Sequence, residues 1–211
     1  MLLTGPTGFV GPHLLAALLA APQLAGRTIF CLARPPLARV RVPAGAAGRV
    51  VLVAADLAAD DLGVCARDVA VLRAEGVAVI FHNGARVDHV RSYRQLKAPN
   101  VRAAGALLHL VQASDSPRRQ PPAFCFVSSL SALAPGDGAE AVCATPADRV
   151  DRLGGYGRST GPPNLGGRKN RRIRMGVEIS AAERVWRPIV AVVVDSRFYI
   201  FLFEQYLRTL P

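Results

Sequence analysis

The feature that most constrains this chain is a glycine-rich turn close to its start. Residues 4–11 read Thr4-Gly5-Pro6-Thr7-Gly8-Phe9-Val10-Gly11. A short apolar run precedes the turn, and leucines at helical spacing follow it in residues 8–21. Because a second apolar run comes next, the first forty residues are typical of a strand, helix, strand unit.

Continuous apolar runs along the rest of the chain predict further strands. Strands are expected at residues 1–4, 28–33, 50–55, 77–82 and 123–127, and helices at residues 8–21, 69–74 and 101–113. Runs without polar alternation are typical of strands that are buried on both faces. We therefore predict an α/β fold with a doubly wound, Rossmann-type parallel sheet.

The pattern changes near residue 160. Residues 161–167 contain two prolines and three glycines, which disfavour helix, and a basic cluster follows at residues 168–174. We predict a Rossmann domain at residues 1–160 and an atypical basic and apolar tail at residues 161–211, with no recognisable substrate domain. The short first strand and the abrupt change indicate a truncated domain.

Composition narrows the possible classes of protein. The 211 residues are 51% hydrophobic and 19% charged, so global disorder is excluded. Four cysteines without CxxC spacing, and no signal-peptide pattern, predict a reduced, cytoplasmic protein. The four histidines lack metal-ligand spacing, so no metal site is expected. Neither a membrane span nor a nucleic-acid partner is expected, because no apolar run is long enough and the basic cluster lacks interleaved aromatics.

The glycine turn has the features of a dinucleotide-binding turn. Gly5 permits the tight turn, Gly8 lets the backbone approach a pyrophosphate, and Gly11 lets helix and strand pack closely. The N-terminus of the following helix adds unpaired N–H groups and the positive end of the helix dipole. The GxxGxxG spacing is typical of short-chain reductases, and the alternative is a glycine turn in a domain that binds no nucleotide.

The end of the second predicted strand indicates which dinucleotide is bound. An NAD site usually has Asp or Glu there, but this chain has neither before Asp56. Arg34 ends the strand, and Arg39 is a second candidate to hold a ribose 2′-phosphate. The sequence therefore predicts NADP(H), the alternative being that Arg34 is one of many solvated arginines.

Seven blocks of the sequence resemble the extended short-chain dehydrogenase/reductases in order and spacing. They are residues 3–11, 31–34, 55–57, 81–89, 100–101, 126–129 and 154–159. The resemblance is strongest to the thioester-reductase branch, which includes terminal reductase domains of nonribosomal peptide synthetases, carboxylic acid reductases and fatty acyl-CoA reductases. His82-Asn83-Gly84-Ala85 is the most specific block, and the resemblance extends to about residue 159.

This resemblance implies roles for particular residues. Cofactor contacts are implied for Gly5, Thr7, Gly8, Phe9, Val10, Gly11, Arg34, Asp56, Leu57, Asn83, Gly84, Ala85 and Asn100. Asp56 and Leu57 match a pair that contacts adenine, and Asn100 matches an asparagine that supports the active site. Ser129 and Tyr156 match the catalytic serine or threonine and the catalytic tyrosine.

The implied reaction is reduction of an acyl thioester, bound to a carrier protein or to CoA, by NADPH. The product is an aldehyde or an alcohol. The tyrosine and serine hydroxyls would act on the oxygen that gains negative charge. Another function within the same superfamily is that of a sugar-nucleotide epimerase or dehydratase. The His82–Ala85 block and Arg34 argue against this alternative.

One position departs from the family pattern. The family has a lysine four residues after the tyrosine, where its ammonium lowers the pKa of the phenol, but this chain has Thr160. Lys169 is too distant to share the helical turn. We expect the reduction to be impaired, and the alternative is a catalytically inactive NADP(H)-binding Rossmann module. An incomplete or altered gene product, a pseudoenzyme and an arginine acting from elsewhere are the three explanations, of which we favour the first.

Overall fold

The computed structural model describes residues 1–111, 122–129, 156, 159 and 189–194. Six parallel strands form one sheet in the order β3-β2-β1-β4-β5-β6. They are β1 (Leu2–Thr4), β2 (Ile29–Ala33), β3 (Val50–Ala54), β4 (Val79–His82), β5 (Ala123–Ser129) and β6 (Ile189–Val194). This order is that of a Rossmann sheet, so the predicted fold class is confirmed.

Both faces of the sheet are covered, which explains why its strands are continuously apolar. Successive residues of a strand point to opposite faces, so Leu3 and Phe81 join one buried cluster, whereas Leu2 and Ile80 join the other. Helix α1 (Gly11–Ala20) packs its leucines into the first cluster. Helices α2 (Ala66–Glu75) and α4 (Ala103–Val111) pack into the second.

The helix after the glycine turn begins later than predicted. Residues 5–8 form a tight turn in which the N–H of Gly8 donates to the carbonyl of Gly5 at 3.2 Å, and α1 begins at Gly11. Pro12 lies in the first helical turn, where its missing N–H costs no hydrogen bond. The glycine turn is therefore a separate loop ahead of the helix.

A short helix that the sequence did not predict precedes α4. Helix α3 (Tyr93–Lys97) begins with a capping box, in which Ser92 and Gln95 bond each other's backbone. Residues Ala98–Arg102 then form one wide π-helical turn, and the N–H of Ala103 reaches back five residues to the carbonyl of Ala98. Pro99 has no N–H for a regular helical bond, which accounts for the widening.

Strand β6 comes from the segment that the sequence assigns to the tail. Its residues Ile-Val-Ala-Val-Val-Val have high β-propensity, and they pair with β5 from Phe124 opposite Ile189 to Ser129 opposite Val194. The sequence pattern did not predict this strand. The boundary near residue 160 stays a prediction. Among the described residues, no helix has both the length and the apolar character that a membrane span requires.

Candidate functional site

The candidate site lies where the direction of chain winding reverses in the sheet. Strands β1 and β4 are neighbours, with Thr4 opposite His82, and the chain leaves the two strands in the loops that begin at Gly5 and Asn83. In open α/β sheets, ligands bind in the crevice outside the carboxyl ends of two such strands. The glycine turn and the His82–Ala85 block therefore meet at one edge.

These two loops pack backbone against backbone. A Cβ on Gly5 would lie 2.7 Å from Cα of Gly84, and Gly5 also has a φ of +67°, which favours glycine. A Cβ on Gly84 would lie 2.5 Å from Cδ1 of Leu57 and 3.0 Å from Oγ1 of Thr4. Side chains at these glycines would push the loops apart. Asn83 closes the contact by donating from Nδ2 to the carbonyl of Gly5 at 3.1 Å.

A buried hydrogen-bond network holds the two strand ends together. The Thr4 hydroxyl accepts the N–H of Gly84 at 2.9 Å and lies 2.8 Å from Nδ1 of His82. The hydroxyl satisfies both partners when it donates to Nδ1, so we assign the ring hydrogen to Nε2. Burial lowers the pKa of His82 from 6.5 to about 4. His82 is therefore a neutral acceptor that fixes the hydroxyl.

The other two glycines of the turn differ in what surrounds them. A Cβ on Gly11 would overlap the carbonyl oxygen of Gly5 and lie 2.6 Å from the carbonyl carbon of Pro6, so the fold itself requires glycine there. A Cβ on Gly8 would meet only the Gly5 oxygen, at an ordinary 3.6 Å. No other atom of the described residues lies within 4 Å of this Cβ position on Gly8. This open space is consistent with a pyrophosphate that approaches the backbone there.

A cleft of about 570 Å³ opens beside Gly8. It runs between the glycine turn and the segment after β2, and its lining consists of Thr7, Gly8, Phe9, Pro12, Ala38, Arg39 and Arg41. Among the described residues that line the cleft, only the two arginines are charged. The α1 N-terminus faces the same region without a side-chain cap, because Val10 occupies the N-cap position. The cleft therefore combines two guanidinium groups with a helix N-terminus, both of which favour phosphate.

Arg34 does not line this cleft. It is exposed just after the end of β2, and the arginines that line the cleft are Arg39, the second sequence candidate, and Arg41, which the sequence analysis missed. Val40 between them is buried, whereas both arginines are exposed. The letters Arg-Val-Arg-Val are the signal that could have identified Arg41.

The loop after β3 contributes Asp56 and Leu57. The Asp56 carboxylate accepts the N–H of Ala58 at 3.0 Å, which forms a tight local turn, and the Leu57 side chain packs close to Gly84. Leu57 also borders a second cleft of about 320 Å³, together with residues 58–61 and the start of α4. Of the predicted adenine-contacting pair, Leu57 thus lies beside Gly84, whereas Asp56 is exposed, as is Ala85.

Asn100 links the β4 loop to the segment of the predicted catalytic tyrosine. Its Oδ1 accepts the N–H of Arg86 at 2.7 Å, and its Nδ2 donates to the Arg86 carbonyl at 3.1 Å and to Oγ of Ser159 at 2.9 Å. Ser159 in turn donates to the carbonyl of Tyr156 at 2.8 Å. Tyr156 is 7% exposed, and its ring makes a T-shaped contact with the His89 ring, with 4.9 Å between the centroids.

The structure thus brings most of the predicted residues to one edge of the sheet. Ser129 ends β5, and its side chain lies outside the described residues, as does Thr160. The sequence indicates no role for Ser159, and for His89 it favours a solvated loop over a contact with substrate. No local signal marks their contacts, because these depend on residues far away in the sequence. Within the described part of the chain, no cluster of three or more His, Cys, Asp or Glu side chains could hold a metal.

The comparisons with known proteins agree with this geometry. The profile of an NAD-binding family described as Male sterility protein matches residues 3–153. The chain belongs to this family. This chain is 38% identical over 167 residues to the polyketide synthase-nonribosomal peptide synthetase ACE1 of Pyricularia oryzae. The match covers 74% of this chain and 4% of the synthetase.

Solved structures of reductase domains resemble the same region. The terminal R domain of the myxalamid PKS-NRPS pathway matches with a TM-score of 0.62 and 29% identity, over 75% of this chain and 42% of that domain. The R domain of a nonribosomal peptide synthetase from Mycobacterium tuberculosis matches with a TM-score of 0.55 and 27% identity, over 75% and 41%. The resemblance predicted from sequence is confirmed. The chain spans less than half of these R domains and a few per cent of the synthetase.

Proposed function

We propose that this chain binds NADP(H) at the switch point of its sheet, with the pyrophosphate against Gly8 and the N-terminus of α1. The contrast between two glycines carries the proposal. Gly11 is required by the packing of the protein, whereas Gly8 faces space that the described residues leave open. A family of NAD-binding domains and similar reductase structures support the same site.

NADPH is proposed over NADH because of the charge around the cleft. Among the described residues, Arg39 and Arg41 line the cleft and no carboxylate does, and Arg34 is exposed just after the end of β2. A ribose 2′-phosphate adds two negative charges, which guanidinium groups bind through paired hydrogen bonds. An Asp or Glu that would favour a free 2′-hydroxyl is missing from the sequence before Asp56.

The proposed reaction is reduction of an acyl thioester, held by a carrier protein or by CoA. The similarity to R domains of synthetases supports this substrate class. NADPH supplies the two electrons as hydride, and with one proton the thioester yields an aldehyde, a free thiol and NADP⁺. The Tyr156 hydroxyl would donate a hydrogen bond to the carbonyl oxygen that gains negative charge, and Ser129 would polarise the same oxygen.

A second candidate function is that of an NADP(H)-binding module without turnover. The observation that favours it is Thr160 at the position of the family lysine. A threonine has no charge with which to stabilise a tyrosine phenolate. Binding and turnover are therefore separate questions for this chain.

Binding is tested by fluorescence titration of the chain with NADPH and with NADH. We expect NADPH to bind more tightly, and Gly8→Ala to abolish binding while leaving the unfolding transition unchanged. Gly48→Ala is the matched control, because a Cβ on Gly48 would meet nothing within 4 Å. Tight binding of NADPH by Gly8→Ala, or a preference for NADH, would contradict the proposed site.

Turnover is tested by incubating the chain with NADPH and an acyl-CoA or an acyl carrier protein. Aldehyde formation that falls about 100-fold or more in Tyr156→Phe, but not in Tyr93→Phe, would support the reductase, as expected for loss of a hydrogen-bond donor to the reacting oxygen. Binding of NADPH without any aldehyde supports the inactive module.

A further inference from the structure

We propose that Ser159 is a positioning residue that, through Asn100, couples the loop after β4 to Tyr156. This inference rests on the proposed function, in which Tyr156 donates to the reacting oxygen, and on the cofactor contacts that the family resemblance implies for Asn83–Ala85. Its subject is a side chain to which neither the motif nor the resemblance assigned a role.

The Asn100 side-chain amide uses both of its donor hydrogens. Its Nδ2 carries two hydrogens, and these go to the Arg86 carbonyl at 3.1 Å and to Oγ of Ser159 at 2.9 Å. Its Oδ1 accepts the N–H of Arg86 at 2.7 Å. Because Asn100 is 3% exposed, water cannot readily replace a lost partner.

The Ser159 hydroxyl both accepts and donates a hydrogen bond. Its oxygen accepts from Asn100, and its single hydrogen goes to the carbonyl of Tyr156 at 2.8 Å. Ser159 is fully buried. A methyl or a thiol cannot replace both bonds at full strength, so the pattern depends on a hydroxyl.

These hydrogen bonds join two parts of the proposed site, the loop after β4 and the Tyr156 segment. Arg86 directly follows Asn83–Ala85, the part of the β4 loop proposed to lie along the cofactor. From the Arg86 backbone the bonds run through Asn100 and Ser159 to the Tyr156 backbone. His89, on the same loop, adds a ring contact with Tyr156 but is itself exposed. If the cofactor orders the loop after β4, these hydrogen bonds should therefore also order the Tyr156 segment through Ser159.

Hydrogen exchange measured by mass spectrometry, with and without NADPH, tests the coupling. In the unaltered chain we expect NADPH to slow exchange in peptides covering residues 83–91 and in those covering residues 154–159. In Ser159→Ala the first effect should remain and the second should disappear. Basal exchange of residues 154–159 should rise about tenfold, the change expected from losing one buried hydrogen bond.

One control variant and one further variant complete the experiment. Ser92→Ala removes an exposed serine from the α3 cap and should leave the coupling unchanged. Ser159→Cys keeps the size with a weaker donor, so intermediate coupling is expected, and it replaces Ser159→Ala if that variant does not fold. Where turnover is measurable, kcat should fall about tenfold in Ser159→Ala while the Kd for NADPH is unchanged.

The possible results separate this inference from the proposed function. If NADPH slows residues 154–159 equally in the unaltered chain and in both Ser159 variants, the positioning role is overturned. If NADPH slows neither peptide in the unaltered chain, the proposed binding site fails. The basal exchange of residues 154–159 with and without the Ser159 hydroxyl then still decides whether this side chain holds the segment.

Discussion

Acidification tests whether His82 is a buried neutral acceptor. Burial lowers its pKa from 6.5 to about 4, so between these values the unfolded chain binds a proton at this residue and the folded chain does not. The free energy of unfolding therefore falls as the pH falls from 6.5 towards 4, and the contribution of His82 is complete above pH 6.5. Between pH 6.5 and pH 4.5 the loss amounts to about 2 kcal/mol.

Urea unfolding of the unaltered chain and of His82→Asn at a series of pH values measures this loss. Asparagine does not titrate, and its Oδ1 can accept the Thr4 hydroxyl in place of Nδ1. We expect the unaltered chain to lose about 2 kcal/mol more than the variant between pH 6.5 and pH 4.5. His13→Asn, which removes an exposed imidazole, should retain the steep dependence.

Equal pH dependence in the unaltered chain and in His82→Asn would refute the reasoning. It would mean that His82 takes up a proton in the folded state as readily as in the unfolded chain. The bond to Thr4 and the packing against the Phe124 and Phe126 rings, with centroids at 5.8 and 5.5 Å, would then not isolate the imidazole from water.

Three further changes test other parts of the structure. Arg49→Met removes two hydrogen bonds, of 2.9 and 2.8 Å, from the guanidinium to carbonyls at the end of α1 and just beyond it. This variant should have a free energy of unfolding in urea about 2 kcal/mol lower than the unaltered chain, and an unchanged urea midpoint would contradict this expectation. Gly105→Ala in α4, where a Cβ meets nothing within 4 Å, should raise thermal stability by about 1 kcal/mol, and a lower melting temperature would contradict this. Arg39→Ala with Arg41→Ala should weaken NADPH about 10- to 100-fold and leave NADH unchanged, whereas a larger effect from Arg34→Ala alone would restore Arg34 as the main phosphate ligand.

The sequence predicts those parts of the fold that depend on short-range pattern. Three glycines at fixed spacing between a strand and a helix identify the turn, and continuous apolar runs identify the first five strands. The five-residue helix α3 offers too few positions to show helical spacing, and Pro99 interrupts the pattern before α4. Strand β6 follows a long glycine-, proline- and arginine-rich stretch, so nothing beside it in the sequence indicates that it pairs with β5.

The candidate site is only partly predictable because its key contacts join distant residues. Thr4 and Gly84 are 80 residues apart, and Asn100 and Ser159 are 59 residues apart. The glycine motif already predicts that Gly11 serves packing and Gly8 serves a pyrophosphate. The three-dimensional structure adds which atoms exclude a side chain at Gly11, the Gly5 carbonyl oxygen and the Pro6 backbone.

The loop after β4 contacts both functional parts of the proposed site. Asn83 and Gly84 bond Gly5 and Thr4 at the glycine turn, while Arg86 is bonded through Asn100 to the Tyr156 segment. A change in this loop should therefore alter cofactor binding and the placement of the proton donor together. Arg39 and Arg41 line the cleft beside Gly8, so we expect their loss to affect binding alone. A variant series along the loop and across the cleft would separate the two effects, because only the loop variants should change both Kd and kcat.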